Sequence, residues 1–464
     1  MKMKNGLLAA AVATALVPGV ASATAGLFQI GYGAKNVGVG GTGAALFQDS
    51  IAAAVNPAGM SFVGDSADMN LRFFSPIRDA EIDMTGLGGS AVSDQSSREL
   101  FGFPTFGYYK AVGSDLTLGV SGYANGGMNS NYDRNVYWEA FSPVAFGAAP
   151  VPSSFFQSGG CGDNDLCGVL GIDYGSVTLA PTLAYKLNQD QSIGASLLIG
   201  VQRFSGRGLQ MFDGLTKTPG DGSEGLTNQG SQWSYGAGVR VGWAGKVAPR
   251  VTLGAAYSSK IYMTKFDKYD QLFADGGDLD TPANLQVGAA FEVTPKLTLA
   301  MDFQRIFYGD VDALNNPGPT QAELLAGFPE LGGAITSDRR LGASNGMGFG
   351  WDDVNVFKVG LIYAYSPQWT FRAGYSHNDS PFSGSDQLLF NVLAPATVQD
   401  HATLGFSYKL ANNNELNVAY MHAFKNSEDG VSPGGTFGPG GPSTFPVELS
   451  MYQNALDISY SWAF

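Results

Sequence analysis

The chain has little with which to do covalent chemistry. Among its 464 residues there are 2 cysteines and 3 histidines. His377, His401 and His422 are scattered without the H-x-x-x-H spacing of a metal-binding helix, and no nucleophile, histidine and acid fall in register, so no enzyme signature is present. Two cysteines are too few for a disulfide-stapled scaffold. Charge is scarce as well: 14% of residues are charged, against about 25% in a typical soluble domain. What charge there is leans acidic, with a net of −14, so no basic surface is on offer to nucleic acid. Beyond the first residues no run of roughly 18 apolar residues occurs, which excludes a helical inner-membrane protein.

What is present points elsewhere. Residues 1–23 have a basic tip (Lys2, Lys4), an apolar run from Leu7 to Val17 and the small residues Ala21-Ser22-Ala23, the pattern of a signal peptide cleaved near Ala23. In an exported chain the spacing of Cys161 and Cys167 in GGCGDNDLCG reads as one small disulfide-closed loop. A metal site there is the weaker alternative, because no histidine is near. The acidic stretches at 163–167 and 275–280 read as solvated loop carboxylates rather than a calcium site, and no metal or cofactor is expected. Hydrophobic residues make up 44% of the chain and glycine 64 positions, an unusual pairing in a water-soluble protein and a natural one in a membrane β-barrel.

Segments of period two bear this out. Val177, Leu179, Leu183 and Tyr185 alternate with Thr178, Ala180 and Thr182, and Trp233, Tyr235, Val239 and Val241 behave alike. Short turns are expected near 112–115, 187–192, 245–250, 293–298, 365–370 and 411–415, and long Gly/Pro/Asp-rich connections lie between them. Six short and seven long connections join fourteen strands, an even number that leaves both barrel ends on the periplasmic side. The last segment alternates through Leu456, Ile458, Tyr460 and Trp462 and stops on Phe464, like the signal read by the barrel assembly machinery. The expected fold is therefore an all-β transmembrane barrel of fourteen antiparallel strands over residues 68–464. Residues 24–67 are too apolar for a solvated tail and predict a partly helical hatch inside the lumen, with Asp49 or Ser50 capping a helical stub that Pro57 ends.

The order of signal peptide, AGLFQIGYGAKNVGVGGTGAA, then NPAGMS, then a fourteen-strand barrel ending in phenylalanine resembles the FadL/TodX family of outer-membrane transporters of hydrophobic compounds. The resemblance implies passive uptake of long-chain fatty acids or related lipids, or in the alternative of aromatic or aliphatic hydrocarbons, by a monomer set in outer-membrane lipid and lipopolysaccharide. It implies hatch gating by Asn56, Pro57 and Ala58, and a lateral opening where the third strand reaches Asn125, Gly126 and Gly127. Apolar clusters in the long loops, Trp138, Phe141 and Phe146 with Leu324, Leu325 and Phe328, are candidates for ligand capture. Arg203 and Arg207 are the candidate partners of a ligand carboxylate, with Lys358 and Arg372 as further cations. Asn56 is expected to reach the wall near the third-strand opening.

Overall fold

The computed structural model describes residues 24–146, 168–220, 224–327, 333–382, 387–433 and 444–464. The signal peptide, the Cys161/Cys167 pair and Phe328 lie outside the described residues, as do the side chains of Phe146 and Leu325.

Fourteen antiparallel strands form one closed wall. They are β1 Ser66–Asp83, β2 Phe101–Val112, β3 Leu116–Asn129, β4 Gly171–Lys186, β5 Gln191–Arg207, β6 Gln232–Ala248 and β7 Val251–Ser258, followed by β8 Ala283–Thr294, β9 Leu297–Phe307, β10 Val354–Ala364, β11 Trp369–Asn378, β12 Asp400–Lys409, β13 Glu415–Pro433 and β14 Thr444–Ala463. Each pairs with the next, and β1 pairs with β14 from Ser66↔Ala463 to Ile82↔Val447, so the sheet closes on itself. Two short strands, Ala91–Gln95 and Tyr262–Met263, extend the wall beside β1 and β6. Tight turns close one end of the barrel, as at 113–115 and 295–296, and all long connections gather at the other. This is the alternation that the turn residues predict.

The two faces are inverted relative to a soluble sheet. On β1 the polar Asp68, Asn70 and Arg72 are buried while Met69, Leu71 and Phe73 are exposed, and β4 to β7 expose Leu183, Leu197, Val241 and Leu253 in the same way. Apolar side chains outside and polar ones inside suit lipid around the wall and a filled lumen within it. Near the tight turns Trp369 stacks on Phe371 with ring centroids 6.0 Å apart and lies 4.8 Å from Tyr408, part of an aromatic belt at the membrane–water boundary. Among the described residues no helix is long and apolar enough to cross a membrane.

Candidate functional site

The lumen is occupied by the chain's own front. Residues 24–65 are mostly buried and bond to strands on every side. The backbone amides of Gly43 and Ala44 donate to Asp302 Oδ2 on β9 at 2.7 and 2.8 Å, and Gly40 N donates to Thr403 Oγ1 on β12 at 3.0 Å. Lys35 pairs with Glu415 on β13 at 2.6 Å. Tyr308, just beyond β9, accepts from Leu27 N and donates to Ala25 O, at 2.7 and 2.6 Å. On the far side Arg240 of β6 donates to Ala53 O at 3.1 Å, and Tyr109 of β2 accepts from Ala53 N at 2.6 Å. At the seam between β1 and β14, Arg72 pairs with Asp457 at 2.9 Å and also bonds Gln29 and Gly31 O.

The glycine-rich run has a steric reason. Gly41 has φ +79°, and a Cβ there would lie 1.6 Å from Ile30 O, so the coil crosses itself only where side chains are missing. The wall supplies matching glycines: a Cβ on Gly242 of β6 would lie 2.1 Å from Asn56 Oδ1.

The stub falls where the sequence places it, but it is shorter and tighter than an α-helix. Asp49 Oδ1 accepts from Ile51 N at 3.0 Å, and a 3-10 turn runs over Ala52–Ala54. Ser50 instead donates its N–H and its hydroxyl to Asp68 Oδ2 on β1, at 2.7 and 2.6 Å. Asp49 is enclosed, and burial together with the nearby Asp68 charge pushes its carboxyl up to about 7. Asn56 caps a second 3-10 turn, Pro57–Gly59, by accepting from Ala58 N at 3.1 Å. Its amide donates to Ala44 O at 2.7 Å and to Trp243 O at 3.0 Å. Asn56 therefore bonds the wall at β6, not at β3 as expected; at the β3 register shift it is Phe28 and Gln29 that bond the strand.

At β3 the wall is interrupted. Pairing with β2 runs from Val112↔Leu116 to Phe106↔Gly122 and stops. On the β4 side the register shifts between Ala124 and Gly126, leaving Asn125 as a bulge. From Ser121 to Asn129 every residue is buried, so the lipid-facing alternation has ended and the strand has turned inward. Phe28 bridges to Gly126, and Gln29 Nε2 donates to Ala124 O at 2.9 Å, so the inner segment takes the place that β2 leaves. Farther out the wall resumes, with Ser97 N donating to Asn131 O at 2.8 Å. The result is a bounded gap in β2–β3 pairing, and Asn125, Gly126 and Gly127 stand on its β3 side.

The long connections fold over the barrel mouth. Phe204 of β5 and Phe273 meet edge to face at 4.8 Å, and Phe212 and Phe390 at 5.2 Å. With Ile172, Phe349 and others they enclose a cavity of about 30 Å³ with no charged residue in its lining. A second cavity of about 10 Å³ lies at the β2–β3 gap, lined by Phe74, Arg78, Gly127, Met128, Trp351 and Ala394, among others. Trp351 and Ala394 stand one or two residues along the chain from Phe349 and Leu393 of the first cavity, so the two adjoin.

The remaining sequence candidates are dispersed. Phe141 is buried edge to face against Phe445 at 5.1 Å, Leu324 is buried in a loop helix, and Trp138 is half-buried; none of the three lines either cavity. Arg203 pairs with Asp173, and Arg207 donates to Asn131 Oδ1 at 2.6 Å. Both share the outward parity of Ile199 and Val201, opposite to Phe204, so neither meets the aromatic cavity. Lys358 donates to Ile30 O at 3.0 Å and Arg372 to Gln48 Oε1 at 2.7 Å, so these cations hold the inner segment. In the 275–280 stretch Asp275 and Asp280 pair with Lys265 and Lys260 at 3.1 and 3.0 Å. The cavity aromatics went unread in the sequence, although Phe204 stands at an inward position of a strand whose parity was already legible. Phe349 and Phe390 carried no such mark.

Residues 171–462, more than half of the chain, match the family model described as outer membrane protein transport protein (OMPP1/FadL/TodX). The chain belongs to this family. It is accordingly an outer-membrane protein that transports hydrophobic compounds. Among solved structures, the Pseudomonas putida toluene transporter TodX is 18% identical over 94% of this chain and 99% of its own, with a TM-score of 0.60. A Pseudomonas aeruginosa FadL homologue is 16% identical over 96% and 99%, TM-score 0.62. The Ralstonia pickettii toluene transporter TbuX is 16% identical over 94% and 99%, TM-score 0.57. At these identities the likeness establishes the FadL/TodX fold alone. Comparison with curated protein sequences finds no match.

Proposed function

We propose that this FadL/TodX-family protein passes long-chain fatty acids or related lipids through the outer membrane by diffusion. The observation that supports this best is a juxtaposition: an uncharged aromatic cavity under the outer loops stands next to a window in the wall, above a lumen filled by residues 24–65. A hydrocarbon chain leaves water for such a cavity at a gain of about 25 cal/mol per Å² of apolar surface. With the axis blocked, the onward route is sideways, past Gly126 and Gly127 into the bilayer. The outer loops that carry Trp138, Phe141 and Leu324 are the capture surface, and residues 24–67, including Asn56, Pro57 and Ala58, are the hatch. Phe464 is the mark read by the assembly machinery, and the outer strand ends meet lipopolysaccharide around a monomer.

A neutral hydrocarbon is the second reading. The lack of any cation in the aromatic cavity favours it, and two of the similar solved structures are of toluene transporters. Equilibrium binding of radiolabelled palmitate and of toluene to the purified protein tests both. Palmitate binding that falls in Phe204→Ala and is unchanged in Arg203→Ala and Arg207→Ala is expected. Saturable binding of toluene alone would select the second reading, and binding of neither would end the proposal.

A further inference from the structure

The second cavity holds a cation without a counter-ion. Arg78 lies on the inner face of β1 and is 4% exposed. Its guanidinium bonds Arg98 O and lies over the Phe101 ring at 5.9 Å. Nε is buried with no hydrogen-bond partner. Among the described residues no carboxylate forms an ion pair with it, and the exposed Glu99 acts on it only through space. Other buried luminal cations are taken up by the protein: Arg72 has Asp457, Lys358 and Arg372 bond the inner segment, and Arg240 bonds Ser258 Oγ and Ala53 O. A buried charge left unpaired is costly, so a site of this kind is completed by an anion.

The surroundings say what sort of anion. Arg78 lines its cavity with Phe74, Met128, Trp351 and Met451, beside Gly127 at the window. An inorganic ion gains nothing from such walls; an anion carrying a hydrocarbon tail gains on both counts. The free space, about 10 Å³, holds about one water, so a carboxylate enters only as side chains give way. The unbranched thioethers of Met128 and Met451 can swing to admit a tail. The adjoining aromatic cavity supplies the uncharged remainder of the path.

We propose that Arg78 is the head-group site, receiving the carboxylate of a fatty acid as it passes from the aromatic cavity to the window between β2 and β3. This deepens the proposed function and rests on it: the substrate class becomes the ionised fatty acid rather than a neutral hydrocarbon. The aromatic cavity has no cation because it holds the tail.

The test is binding of palmitate and of its uncharged methyl ester to wild type, Arg78→Gln and Arg78→Lys in neutral detergent. A hydrogen-bonded charge pair lost to glutamine should weaken palmitate about 10- to 100-fold. Ester binding should stay within about twofold, and Arg78→Lys should recover part of the palmitate affinity. Ester binding in Arg78→Gln also reports that the barrel is folded. Equal losses of acid and ester, or no loss of either, would overturn the assignment while leaving hydrophobic transport standing; wild type that binds neither would instead remove the transport reading itself. A second arm separates anion sources: dodecyl phosphate displacing palmitate far better than dodecanoate does would give the site to a lipid phosphate, against the proposal.

Discussion

Asp302→Ala should loosen the inner segment from the wall. Oδ2 of Asp302 accepts from Gly43 N, Ala44 N and Gln286 Nε2, at 2.7, 2.8 and 2.7 Å. A hydrogen bond to a charged group contributes about 1.5–3 kcal/mol, so the two that reach the inner segment total about 3–6 kcal/mol. Alanine also removes a buried carboxylate whose desolvation opposes folding, which favours the lower end. A loss of about 3 kcal/mol corresponds to roughly a 100-fold rise in the local opening equilibrium. Amide hydrogen exchange followed by mass spectrometry over residues 38–48, in detergent-purified protein, reads that equilibrium. Protection should fall by roughly that factor in Asp302→Ala and by less in Asp302→Asn, which keeps an acceptor. Protection within twofold of wild type, in a barrel that keeps its thermal stability, would refute the reasoning that this carboxylate fastens the segment.

Three further outcomes follow from the same geometry. Asp49 holds its proton to about 7 in the folded protein, whereas an unfolded aspartate releases it near pH 3.9. Between those values the folded state binds more protons, so stability declines as pH rises and levels off above. Melting temperatures from about pH 5 to 8 should show that decline in wild type and flatten in Asp49→Asn; a wild-type rise across the interval would contradict it. Gly242→Val would drive its side chain into Asn56 Oδ1, costing about 1–3 kcal/mol as overpacking does and lowering the midpoint of denaturant unfolding; an unshifted midpoint counts against that contact. Valine at Gly126, which lines neither cavity, should stop fatty-acid uptake by cells while detergent-phase binding persists, and normal uptake would place the exit elsewhere.

Strand parity and turn chemistry made the barrel readable, because both are local. Met69, Leu71 and Phe73 declare a lipid face by alternation alone, and the tight turn at 113–115 needs only Gly113 with φ +78°. Parity would also have turned Arg203 and Arg207 outward, since they fall in step with Ile199 and Val201. The path of residues 24–65 was not legible in the same way. That segment has no period, and its course depends on where partners stand, such as Trp243 O for Asn56 and Asp302 for Gly43. Lys358 and Arg372 point inward as parity requires, but whether an inward cation meets ligand or plug is decided by that path. The aromatic cavity is harder still, because Phe204, Phe273, Phe349 and Phe390 converge from a strand and three separate connections. Arg78 could have been marked as an inward charge on β1, yet its lack of an acidic partner is visible only in three dimensions.

On the proposed route a hydrophobic ligand lies in the aromatic cavity and leaves through the window, never along the barrel axis. Crystals soaked with a terminally brominated fatty acid test it by anomalous diffraction. Bromine peaks among Phe204, Phe349 and Phe390, or beside Gly127 and Met128, are the predicted result. A peak between residues 24–65 and the inner face of β6 and β7, on the axial route, would contradict it.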